Sequence, residues 1–105
     1  MAQIKWTEPA LNDLDEIAEY IALDKPSAAK NLVKEVFTSV KILKQFPESG
    51  RCPPELPETG YRELIVGPCR IFYRVETKKV YILYVMRSER ALRKFLLEDR
   101  AKPSS

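Results

Sequence analysis

Residues 60–75 read GYRELIVGPCRIFYRV, and this stretch decides the fold. Apolar and polar residues alternate on either side of Gly67-Pro68, the pattern of two half-buried strands joined by a tight turn. With a two-residue loop, Val66 stands opposite Cys69 and Leu64 opposite Ile71. One face of the hairpin then carries Arg62, Leu64, Val66, Ile71, Tyr73 and Val75, and the other carries Tyr61, Glu63, Ile65, Arg70, Phe72 and Arg74. The first is a core face with Arg62 as its misfit; the second is part apolar and part basic. A second tight turn at Thr77-Lys78 sets Val75 opposite Val80 and predicts a third strand over Val80–Met86. Strict alternation along it puts Tyr81, Leu83, Val85 and Arg87 on the basic face, so Arg70, Arg74 and Arg87 share one surface.

Upstream, residues 2–6 read as a short strand ending in Trp6. Thr7 is a good N-cap, followed by Glu8 and Pro9 in a first turn where a carboxylate and a proline are both favoured. Leu11, Leu14, Ile17, Ala18 and Ile21 recur at helical spacing and predict a helix over Glu8–Leu23. Asp24 starts a second helix with Pro26 in its first turn, and Ala29, Leu32, Val33, Val36, Val40 and Leu43 form its apolar stripe. Phe46-Pro47 ends it, because proline disfavours a helical residue before it. So short a connection makes the pair an antiparallel hairpin. Residues 46–60 hold four prolines and two glycines and read as an ordered loop. After the strands, Ser88 can cap a helical stretch, RALRKFLLEDR, in which Leu92, Phe95 and Leu96 make one apolar edge. Residues 100–105 are expected to fray.

Strand, helical hairpin and antiparallel meander make an α+β domain with both helices on one sheet face. The basic face is expected to stay uncovered.

A chain of 105 residues is one domain, 1–105, and buries roughly two thirds of its unfolded surface. Its 45% hydrophobic content is that of a globular protein, with no run near the roughly 20 apolar residues of a membrane span and no signal-peptide pattern. A cytoplasmic location and no membrane partner are expected. There is no histidine, which removes Ser-His-Asp and Cys-His catalysis and imidazole metal ligands. The two cysteines, Cys52 and Cys69, make no zinc site and read as reduced thiols. No metal and no cofactor are expected. Residues 1–24 carry a balance of −5, whereas residues 61–105 hold 11 basic and 5 acidic groups. An acidic first helix and a basic sheet and tail point to an anionic partner, nucleic acid or an acidic protein segment.

The segments WTEPALNDLDEIAEYIA, AAKNLVKEV, FPESGR, GYRELIVGPCRIFYRV and VYILYVMRSER, in this order, resemble the RelE/ParE superfamily of type II toxin–antitoxin toxins over about nine tenths of the chain. The long helical hairpin, the GYR opening of one strand and the FYRV of the next are closer to ParE-like members. The resemblance implies a growth-inhibiting toxin of the plasmid-stabilisation kind, neutralised by a cognate antitoxin in a hetero-oligomer. ParE-like members poison DNA gyrase without acting as enzymes; RelE-like members are ribosome-dependent, metal-independent mRNA endonucleases. A degenerate module that binds antitoxin without toxicity is a third possibility.

Under the nuclease reading Arg70 matches the family's central arginine and Arg87 and Glu48 complete a partial set, but the basic position of the preceding strand falls at Glu63. Under the gyrase reading Arg70, Arg74, Arg87 and Arg90 are target contacts; Leu92, Phe95 and Leu96 either pack into the core or form an apolar strip that the antitoxin covers or that docks on the target. Arg62, on the core face, needs a counter-ion, and Glu16 or Glu19 of the acidic helix is expected to supply it.

Overall fold

The hairpin pairs as its alternation requires. In the computed structural model, which describes residues 1–57, 59–88 and 94–101, Tyr61–Val66 (β2) and Cys69–Glu76 (β3) are antiparallel, with Val66 opposite Cys69 and Leu64 opposite Ile71. Gly67, at φ 55°, takes the left-handed conformation the two-residue loop demands. Lys79–Arg87 (β4) continues the meander, and Gln3–Trp6 (β1) lies parallel to it, giving the sheet order β1-β4-β3-β2.

Helix α1 spans Glu8–Ala22, and Thr7 caps it by accepting from the Ala10 amide, while its hydroxyl donates to the Ile82 carbonyl of β4. One residue thus starts the helix and ties it to the sheet. Helix α2 spans Pro26–Lys41 and begins two residues after Asp24: Lys25 is its N-cap, without a side-chain capping bond. A 3-10 turn over Ile42–Lys44 follows. Ala10 and Leu14 of α1 and Leu32, Val36 and Val40 of α2 meet Val66, Ile71, Tyr73, Val80, Ile82 and Val85 in the main core.

Two expectations about the sheet are overturned. The register between β3 and β4 shifts between Phe72 and Tyr73: Tyr73 faces Ile82 but Phe72 faces Tyr84, so Leu83 is the extra residue of a β-bulge. Beyond it the alternation inverts. Val85 joins the helix-side core, and Arg87, opposite Cys69, goes with it. The second correction concerns the far face, which is covered. Leu56 of the proline-rich segment and Leu97 of α3 (Lys94–Ala101) close over Tyr61, Phe72, Leu83 and Met86 in a second small core. The apolar half of that face is large enough to require burial, and the chain supplies the cover itself.

Asp13 of α1 fastens this second layer. Beyond Ile82 β1 no longer flanks β4, and the Val85 amide donates to the Asp13 carboxylate at 3.0 Å. Arg100 of α3 reaches the same carboxylate at 2.6 Å and donates to the Leu83 carbonyl within the bulge. Its guanidinium also lies over the Tyr84 ring.

Candidate functional site

Arg70 sits at the centre of the far face, and its surroundings decide what that face can do. Its two terminal nitrogens hold both Glu55 carboxylate oxygens at 2.7 and 2.8 Å, and Nη2 also reaches Glu63 at 2.6 Å. Glu63 has a side chain with no solvent exposure, and its other oxygen accepts from Arg51 at 2.8 Å. Arg51 earns its position through the backbone, exchanging both amide–carbonyl bonds with Glu63 so that the loop adds one bridge to the edge of β2. The chain Arg51–Glu63–Arg70–Glu55 therefore holds two cations and two anions with no net charge. The bidentate bond from Arg70 is the main cause that draws the Glu55 carboxyl from 4.5 down to about 2, against the opposing effect of burial. The same bond holds the Arg70 proton more firmly than usual.

Both terminal nitrogens of this arginine are engaged by carboxylates of the chain itself. It lies over the Phe72 ring, and its Nε is buried without a hydrogen-bond partner. A buried charge persists in a core when its counter-ions are buried beside it, and here both carboxylates are within contact.

The other sequence-predicted residues are dispersed. Arg87 lies on the helix side of the sheet with its guanidinium 4.8 Å from the Tyr20 ring centre, so the sheet separates it from Arg70. Glu48 is exposed on the loop before the sheet, and its carbonyl accepts from Arg62. Arg70, Arg87 and Glu48 are thus not brought together. Arg62 does not pair with Glu16 or Glu19, which are exposed on α1. It donates instead to the Glu48 and Gly50 carbonyls at 3.1 and 2.8 Å, because the loop, not α1, borders the edge strand β2. Tyr73 locks the same loop, accepting from the Gly50 amide at 2.8 Å, and burial pushes its phenol pKa up. Arg74 alone of the sheet arginines named for target contact combines the far face with substantial exposure; it rests over Tyr61 and reaches Glu76 at 3.4 Å. Arg90 and Leu92 lie outside the described residues, as do the side chains of Phe95 and Leu96.

Sequence reasoning missed Glu55, Arg51, Asp13 and Arg100. For one contact the signal was present: Glu63 and Arg70 fall on the same face of adjacent strands, one diagonal step apart, where opposite charges meet.

A four-stranded sheet with a helical hairpin on one face is a layout this chain shares with solved chains of toxin–antitoxin systems. A chain from the chromosomal ParDE system of P. aeruginosa superimposes with a TM-score of 0.69 at 33% identity, covering 83% of this chain and 96% of that one. A chain of the Mycobacterium tuberculosis RelBE2 toxin–antitoxin complex shares the fold, with a TM-score of 0.55 at 22% identity over 82% of this chain and 96% of that one. Among curated proteins, a putative toxin Y4kP of Sinorhizobium fredii is 43% identical over 86 residues, 80% of this chain and 85% of its own. Toxin RelE2 of Caulobacter vibrioides is 35% identical over 91 residues, 86% of this chain and 99% of its own. The family model described as the ParE toxin of the type II toxin–antitoxin system parDE matches residues 4–92. The chain belongs to this ParE toxin family, within the RelE/ParE superfamily.

Proposed function

We propose that this toxin arrests growth by binding and poisoning DNA gyrase, and that it does not cut mRNA. The observation that carries this reading is the charge-neutral Arg51–Glu63–Arg70–Glu55 chain. A phosphoryl-transfer centre needs uncompensated positive charge aimed at the phosphate in the transition state. Here the central arginine faces two carboxylates, one of them at the position where the family's nucleases carry a cationic residue, and Arg87 is on the opposite side of the sheet. With no histidine in the chain, no imidazole acid or base replaces them. Binding to a large protein target requires none of this machinery and is compatible with Arg74 on the far face. A cognate antitoxin holds the toxin inactive. No helix among the described residues is long and apolar enough to cross a membrane.

The test is direct. Purified toxin added to gyrase is expected to inhibit supercoiling and accumulate cleaved DNA, with antitoxin reversing both effects, while a translating extract programmed with a reporter mRNA stays uncut. Normal supercoiling at saturating toxin, or ribosome-dependent cleavage of the reporter, overturns the reading.

A further inference from the structure

Among the described residues, α3 and Leu56 close over Tyr61, Phe72, Leu83 and Met86 on the far face, and from Tyr61 a row of side chains runs across the other three strands on the side towards the Thr77-Lys78 turn. The register sets Tyr61 of β2 opposite Arg74 of β3, Arg74 opposite Tyr81 of β4, and Tyr81 beside Lys5 of β1. These four share one side of the sheet, since Ile4, Val80 and Tyr73, their alternates, enter the main core. Aromatic and cationic groups thus alternate across about 14 Å, three strand spacings. Arg74 is 42% exposed with its guanidinium carbon 5.9 Å from the Tyr61 ring centre, Lys5 is exposed, and Tyr81 is half-buried against the second core.

A second, parallel line adds charge. Lys79, exposed, stands between Glu76 and Gln3 in register, and the Gln3 amide donates to the Lys78 carbonyl. Lys5, Arg74 and Lys79 bring three cations to this surface, and Glu76, 3.4 Å from Arg74 Nε, is the carboxylate in contact with it. The patch is positive where the Arg70 cluster is neutral.

We propose that the row Lys5–Tyr81–Arg74, flanked by Lys79, is a binding site for single-stranded nucleic acid. Its cations meet consecutive phosphates and Tyr81 offers a ring face to an unstacked base. Tyr61, buried beneath Arg74, orients that guanidinium and takes no base. An acidic protein segment would use the cations but would have no need of an aromatic between them, which is why nucleic acid is favoured. The site uses neither Arg70 nor a nuclease centre, and it stands whether or not gyrase is the toxin's target.

The experiment measures fluorescence anisotropy of labelled oligothymidylate, oligouridylate and polyglutamate with the purified chain over a salt series. Oligothymidylate is expected to bind with a log–log salt slope of about −2, the value for three phosphate contacts on a single strand. Replacing Lys5→Gln and Lys79→Gln together is expected to flatten the slope to about −0.7. Tyr81→Leu, which keeps the apolar packing, is expected to weaken binding about tenfold at every salt concentration. Preference for oligothymidylate or for oligouridylate assigns the source as DNA or RNA. The proposal is overturned if neither oligonucleotide binds at low salt, if the double lysine variant keeps the wild-type slope, or if polyglutamate binds as tightly as the oligonucleotides. Because both lysines are on the surface, their variant tests the site even if Tyr81→Leu impairs folding, which a thermal melt reveals. No gyrase is present in any arm, so the outcome is independent of the supercoiling assay.

Discussion

Replacing Arg70 by alanine tests whether that residue works for the fold or for a target. The change removes one of the two cations facing Glu63, whose side chain has no access to solvent, and leaves Glu55, a third exposed, to be solvated. Breaking a buried pair from one side costs about 3–5 kcal/mol, because the remaining charge is stranded. Arg51, itself largely exposed, compensates only one of the two Glu63 oxygens. For a domain of this size such a loss lowers the melting temperature by about 15 °C and consumes a large part of a typical 5–15 kcal/mol stability. Thermal melts followed by circular dichroism measure it, and the double variant Arg70→Ala/Glu63→Gln completes the argument. Neutralising the stranded carboxylate is expected to restore more than half of the loss, so the two changes are strongly non-additive. A wild-type melting temperature for Arg70→Ala, combined with loss of growth inhibition, would refute the reasoning: Arg70 would then act on a target and Glu55 and Glu63 would merely hold it in place.

Three further outcomes are expected. A methyl group at Gly50 would lie 2.6 Å from both the Glu63 carbonyl and the Tyr73 hydroxyl, so Gly50→Ala should cost about 1–3 kcal/mol in urea denaturation by forcing the loop off β2. Asp13→Ala removes the acceptor of both the Val85 amide and Arg100, and limited proteolysis should then cut within residues 94–101 while the hairpin and sheet stay protected; equal resistance in the variant would show that Leu97 and the remaining Arg100 contacts with Leu83 and Tyr84 suffice to hold α3. The Glu55 carboxyl titrates at about 2 in the folded chain against 4.5 as its ordinary value, so its contribution is complete above about pH 4.5 and disappears as the pH falls through 2. The stability gap between wild type and Glu55→Gln should therefore be constant from neutral pH to about 4.5 and close below it, as urea midpoints across the acid range will show.

The sequence allowed a good deal of this to be read, and the failures have identifiable causes. The β2–β3 register, the Thr7 cap, the helical hairpin and most of its apolar stripe follow from local alternation, helical spacing and turn chemistry, all of which act within a few residues; Leu11, expected in the stripe, is 40% exposed, and its neighbour Ala10 is buried instead. The inverted end of β4 does not. Leu83 is an apolar residue in an apolar run, and nothing nearby marks it as extra; the contacts that hold the bulge come from Asp13 and Arg100, distant in sequence. A single unforeseen residue moved Arg87 to the other side of the sheet and dissolved the arginine triad. The cover over the far face escaped for a different reason. Leu56 is an isolated apolar residue among prolines, without the periodicity by which buried segments are recognised, and Glu55 beside it reads as solvated until Arg70 is seen beneath it. Arg62 shows a third cause: the expected counter-ion was a carboxylate, but loop carbonyls on the edge strand satisfied the guanidinium equally well.

The first strand of the sheet finds its neighbour only in the fourth. Thr7, at the end of β1, bonds to Ile82 of β4 across 75 positions of chain. Long-range parallel pairing of this kind forms late, after the intervening loop entropy has been overcome. During synthesis the hairpin of helices therefore waits without a finished sheet to rest on, and the lysine at position 5 cannot line up with Tyr81 until β4 has been made. A chain of this topology completes its sheet only when its last strand is available, so any surface that spans β1 and β4 is the last part of the fold to exist.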